Sequence, residues 1–198
     1  MKNLLFLPLV LLPFCVIAED RVILGSFEQE SAESEDGERG IDAESSLTGF
    51  GARLYQFRDE GLYLGTGFAQ LSGDLDICQR SLCLSADASR TRFFGDIGKS
   101  FGQWTPFIGT SFSSWEVEAP GQSESDETWG VNAGLWLDLD TFKLRGALSH
   151  LDDSDNRAIS GGLLFQMENK FTLSAEIGLL LDDEVDEFRI SLQFGKTF

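Results

Sequence analysis

His150 is the only histidine in the 198-residue chain. It stands in SHLDDSDN, with Ser149, Ser154, Asp152, Asp153 and Asp155 around it. A Ser–His–acid relay needs those three side-chain types, the imidazole taking the hydroxyl proton while the carboxylate orients the ring. The same stretch, DDSDN at 152–156, resembles the opening of a calcium loop. The ligand at the third place is lost and no glycine follows in position, so no metal site is assigned. Cys78 and Cys83, in CQRSLC, form a second chemical pair. Two nearby cysteines in a turn-like stretch point to a disulfide. Zinc would want four ligands, and one histidine supplies few.

The third constellation is ionic. Arg53, Arg92, Lys143, Arg145 and Arg189 fall on the same alternating face as Asp96, Asp138 and Glu176. Unpaired ions in a narrow interior are costly, so these groups should pair or be hydrated. Two outcomes stay open. One is a salt-bridged plug, preferred here; the other is a narrow ion path lined by mobile pairs.

Those side chains need strands to hold them. No segment after residue 18 is a long apolar helix. Runs of about ten residues instead alternate with period two: 47–57, 61–73, 90–101, 105–117, 128–139, 142–151, 158–167, 170–181 and the closing 188–198. A closed antiparallel sheet with both ends on one side needs an even count. DRVILGSFEQ at 20–29 supplies a tenth strand, and eight is the alternative if a weaker run is a loop. Connections alternate in length. Those at 58–61, 102–103, 138–141 and 168–170 are short. Those at 30–45, 74–88, 118–127, 152–156 and 182–186 are longer or more acidic. The acidic run at 28–44 reads as a solvated, flexible loop.

One face of the runs is bulky and apolar, as in Trp129, Val131, Ala133, Leu135 and Leu137. The other is small, polar or charged, as in Gly130, Asn132 and Gly134. The crowding of Gly and Ser favours the polar face inward, where a small barrel has little room. The bulky face then suits lipid, and Trp104, Trp115, Trp129, Phe101, Phe142, Phe171 and Phe198 suit interfacial girdles. A soluble sandwich would treat some of these as ordinary core aromatics. His150 falls on the lipid-facing register.

Met1-Lys2 precedes an apolar run from Leu4 to Ile17, and Val16-Ile17-Ala18 offers small-residue cleavage spacing. Residues 1–18 therefore read as a secretory signal peptide; Cys15 lies inside it, in a context poor for lipidation. Residues 19–198 are then one barrel domain, all-β and transmembrane, an antiparallel up-and-down barrel. The full chain carries 15 basic and 33 acidic side chains. Without Lys2 the balance is 14 − 33 = −19. Such a surface excludes nucleic acid as a partner and attracts divalent cations or basic partners. Nothing in the sequence asks for a cofactor.

The ending FRISLQFGKTF, with Phe188, Ile190, Leu192 and Phe194 alternating toward a terminal Phe198, resembles the C-terminal signature of bacterial outer-membrane β-barrels. The pattern as a whole is similar to the small OmpA/OmpX-type barrels, although ten strands depart from their eight. The resemblance implies assembly by the barrel assembly machinery. It also implies contact with outer-membrane lipid and lipopolysaccharide, and termini on the periplasmic side. Acidic loops would bridge to lipopolysaccharide phosphates through calcium or magnesium. Lipid A deacylases of such barrels carry a His-x-Ser pair; here Asp152 stands in the serine's place, which argues against an enzyme. The role expected is a structural or surface-interaction protein displaying acidic loops, with a small pore second and a lipid-modifying enzyme third.

Overall fold

The computed structural model describes residues 20–36, 40–58, 60–79, 82–119, 122–182 and 185–198. The expected signal peptide lies outside them. Ten strands follow in chain order: β1 (Asp20–Asp36), β2 (Ile41–Phe57), β3 (Glu60–Gln79), β4 (Leu82–Phe101) and β5 (Trp104–Ala119). Then come β6 (Gln122–Asp138), β7 (Phe142–Ser149), β8 (Ala158–Gln166), β9 (Phe171–Leu180) and β10 (Val185–Thr197). Each pairs antiparallel with its sequence neighbours, and β1 closes on β10, from Val22 beside Thr197 to Ser34 beside Val185. Phe198 N–H donates to the Arg21 carbonyl at 2.9 Å, so the sheet stays paired to its final residue. A closed barrel leaves no unpaired edge, which a strand in hydrocarbon requires.

The connections expected to be short, at 58–61, 102–103, 138–141 and 168–170, all lie at the end that holds both termini. Two of them place a non-glycine residue at positive φ: Asp140 (60°) and Lys170 (64°). Gly102 (63°) does the same between β4 and β5, where glycine carries no Cβ penalty.

The outward face is the apolar one. Phe50 is 72 % exposed, Trp129 66 % and Ile108 64 %. No interior of a water-soluble barrel would leave such residues out, so this face is the one built for lipid. Aromatic side chains cross from strand to strand in an outward row: Phe27 on Phe50 at 5.7 Å, and Phe68, Phe93, Phe112 and Trp129 in succession at 6.3, 6.4 and 4.8 Å.

The wall is uneven above that row. β7, β8 and β9 have 8, 9 and 10 residues, about the length that crosses a bilayer. β1 to β6 have 16 to 20. Past the aromatic row these six continue for seven to eleven residues, ~23–36 Å along the strand at ~3.3 Å per residue. This is the largest departure from the sequence reading. The stretches 30–45, 74–88 and 118–127 are expected loops, and most of each is paired strand. Acidic residues there still alternate with a second set: Glu44, Asp74, Asp76 and Asp87 point out, while Leu47, Leu71, Leu75, Ala86 and Ala88 point in. The apolar face is inside in this part of the sheet and outside below it. An eye tuned to one bulky face sees the pattern stop where it only inverts. Cys78 and Cys83 pair in register and are joined by a disulfide near the tip of the β3–β4 hairpin.

Candidate functional site

The interior has two layers, and the one nearer the termini is aromatic. Inward positions of β2, β3, β5 and β6 bring Tyr55, Phe57, Tyr63, Phe107 and Trp136 together with Val22, Leu24 and Leu164. Tyr63 and Leu164 are fully buried. Trp136 stands edge-on to Tyr55 and Phe57 at 5.2 and 5.4 Å. Its indole N–H donates to the Tyr63 hydroxyl at 3.0 Å, which satisfies a polar group that would otherwise be stranded. Glycines make the layer possible. A Cβ on Gly98 would sit 2.8 Å from the Phe107 Cβ, and one on Gly134 would sit 2.9 Å from its Cε1. The interior expected to be polar is therefore apolar at this end, because bulky rings replace Gly and Ser on the inward register.

Above the rings lies an unbroken alternation of charges. Asp96 meets Arg145 at 3.4 Å, and Arg145 meets Glu176 at 3.2 Å. Glu176 meets Arg53 at 3.0 Å, and Arg53 meets Glu28 at 3.3 Å. Glu28 meets Arg92 at 3.0 Å, and Arg92 meets Glu30 at 2.8 Å. Glu30 also holds Arg90, which reaches Glu187 at 2.9 Å; Glu187 then meets Arg189 at 3.0 Å. Five guanidiniums and five carboxylates cancel. Cations also stack on the rings: Arg145 lies 5.0 Å from the Phe107 centroid and Lys143 lies 5.0 Å from that of Phe57.

The expected cluster of Arg53, Arg92, Asp96, Arg145, Glu176 and Arg189 does come together. Lys143 and Asp138 pair separately near the terminal end. Four members escaped the sequence reading: Glu28, Glu30, Arg90 and Glu187. Their signal was present, since Arg90 shares its face with Arg92 and Glu187 with Arg189. Trp115, expected in a girdle, points inward, with Arg90 4.6 Å over its ring.

His150 also turns in, against its expected lipid-facing register. Its φ of 52° breaks the alternation of β7, and the ring lies against Gly130, where a Cβ would meet the imidazole Cγ at 2.6 Å. Neither ring nitrogen has a hydrogen-bond partner among the described residues, so no Ser–His–acid relay is formed there. Burial pushes this imidazole below its ordinary value, and Arg189 acts in the same direction. Asp152 instead accepts from the Val131 amide at 2.8 Å, which holds its carboxyl below the usual range. Asp153 accepts from the Asn156 side chain at 2.8 Å, again lowering the carboxyl. These bonds close a turn. Among the described residues no three His, Cys, Asp or Glu side chains converge as a metal site.

Among the described residues, cavities remain in the half of the barrel built by the extended strands, the crown. One of about 140 Å3 lies within the ion chain; another, of about 240 Å3, lies farther out beside Trp115, Asp126 and Arg189.

No family model matches the chain, and no curated protein does. Solved structures do. Ail, the attachment invasion locus protein of Yersinia pestis, in complex with the heparin analogue sucrose octasulfate, superposes with a TM-score of 0.53 at 14 % identity. The match covers 90 % of this chain and 98 % of that one. The translocator domain of the autotransporter NalP from Neisseria meningitidis gives 0.51 at 12 % identity, over 89 % and 88 %. The β-domain of the Bordetella autotransporter BrkA gives 0.50 at 13 %, over 91 % and 100 %. At these identities the likeness is one of architecture, and the chain has the fold of the small outer-membrane β-barrels.

Proposed function

We propose that this protein is a sealed outer-membrane barrel whose task is to hold a rigid acidic crown outside the cell, where it engages cationic partners. The termini are then periplasmic, and Phe188, Ile190, Leu192, Phe194 and Phe198 are the stretch presented to the assembly machinery. The observation that carries this reading is the outward face of the crown. Glu33, Glu44 and Asp76 lie side by side across β1, β2 and β3. Asp74, Asp87 and Glu118 do the same across β3, β4 and β5. Among the described residues that face shows no Lys or Arg, only carboxylates, Ser, Thr, Gln and the cystine. Like charges directly opposite in a sheet are destabilising, so a surface that keeps them has a use for the field. Ail is seen with a polyanion; this crown would repel one. Polyamines, basic protein segments and divalent ions bridging to lipopolysaccharide phosphates match its sign.

A conducting pore, the second reading, meets an obstacle in the aromatic layer. An ion path needs a continuous wet route, and the neutral ion chain offers no excess charge to select by.

The test is titration of the purified barrel with a lysine oligomer at low and moderate salt. The proposal predicts saturable binding that weakens with salt and falls severalfold in Asp74→Asn/Asp76→Asn/Asp87→Asn. Binding unaffected by those changes would contradict it.

A further inference from the structure

The lumen is a cup. Its floor is the aromatic layer, and its outer cavity lies at the crown end. That cavity is walled by Trp115, Arg90, Arg189, Asp126, His150 and Thr128. At about 240 Å3 it falls below the roughly 300–1,000 Å3 of sites for drug-sized ligands. An apolar ring wall with a few convergent charged and hydroxyl groups is how proteins hold small polar solutes. Arg90, Arg92 and Arg189 all line this cavity, and Arg189 is the most exposed of the three. Its side chain is 28 % exposed, against 21 % for Arg90, 17 % for Arg92, 10 % for Arg145 and 9 % for Arg53. It touches Glu187 through Nε, and a guanidinium has further donors in its fork. Both buried ring nitrogens of His150, in the same wall, have no partner among the described residues. Buried polar atoms are normally satisfied, so each such atom asks for something to meet it. Asp126 and Thr128 offer acceptors and a donor on the facing strand.

Arg189 ends the ion chain with its Nε on Glu187 at 3.0 Å, and its remaining guanidinium donors lie beside Asp126 and below a crown of carboxylates. That setting admits one negative charge and works against two. The remaining groups suit hydroxyls. We propose that this outer cavity binds a small solute with a single carboxylate and several hydroxyls, of the sugar-acid class. The carboxylate sits on Arg189, the ring lies toward Trp115, and the hydroxyls meet Asp126, Thr128 and His150. The aromatic floor makes the cavity a receiving site and not a conduit. The inference rests on the proposed orientation, with the crown outside, but not on the crown's own partner.

The experiment is calorimetric titration of the folded barrel in detergent with D-glucuronate, D-glucose and the dicarboxylate D-glucarate. Folding is checked for each variant by heat-modifiable migration on gels. The expected result is saturable glucuronate binding, at least tenfold weaker for glucose and for glucarate. Arg189→Gln and Trp115→Ala should each weaken it tenfold or more. Thr128→Trp, which fills the cavity from β6 without touching the ion chain, should abolish it if either of those fails to fold. No glucuronate binding by the folded wild type, equal binding of glucose, or full binding by Thr128→Trp would overturn the site. Lysine-oligomer binding, measured on the same samples, separates this failure from failure of the crown: the wild type would keep the one and lack the other.

Discussion

The two layers of the lumen close the same barrel by opposite means. Near the termini, closure is by volume. Rings of Tyr55, Phe57, Tyr63, Phe107 and Trp136 fill the bore, helped by glycines that clear their path. Toward the crown, closure is by charge. Ten alternating ionic groups span the bore and leave cavities between them. The first kind is dry and stabilising in itself, since burying large aromatics removes much apolar area from water. The second is an ion chain that no single deletion leaves balanced. A buried pair adds little net stability, but breaking one strands a charge. On the proposed reading the aromatic layer decides whether the barrel leaks, and the ionic layer decides what shape the cup above it keeps.

That contrast can be broken from either side. Trp136→Ala removes the central ring of the floor and should cost ~3–5 kcal/mol in a denaturant titration of the folded barrel. It should also admit brief conductance steps, which the ionic layer alone does not prevent. Glu176→Ala removes the carboxylate that Arg53 and Arg145 share, leaves one buried positive charge unmatched and should cost a similar ~3–5 kcal/mol, yet leave the protein silent in a planar bilayer. If Glu176→Ala conducts and Trp136→Ala does not, the roles of the layers are reversed.

The wall provides a smaller contrast. Leu135→Arg places a charge on the outward face at mid-strand and should cost ~2–4 kcal/mol, read in the same titration. Tolerance of the arginine would mean that this face does not meet lipid. Smallest is the turn that latches β6 to β7. Asp152 has a carboxyl held below its ordinary value by the Val131 amide. Its contribution is therefore present above the unfolded value of about 3.9 and lost as pH falls through the lower folded value. Protection of the Val131 amide from hydrogen exchange, relative to that of interior β6 amides, should drop in acid for the native chain. It should be low at every pH in Asp152→Ala.

The sequence carried the strand count, the closure, the short turns and most of the ion chain. All of these follow from period-two alternation, which needs only adjacent residues to be seen. It carried little of the crown, because there the apolar side chains, such as Leu71, Leu75 and Ala88, face the other way and acidic residues take the outward register. It hid the aromatic floor for a different reason. Trp136 lies in LWL, where both faces are apolar and nothing marks which one is inside. His150 was misplaced because a single positive φ reverses the side to which the chain presents its side chain, and no residue type announces that turn.

The most direct test of the sealed barrel is single-channel recording of the wild-type protein in planar bilayers, using material whose folding is verified by heat-modifiable migration. The account predicts no stepwise current under voltage. Reproducible unitary steps from the native chain would show that the aromatic layer does not close the bore, and would replace the sealed display barrel with a pore.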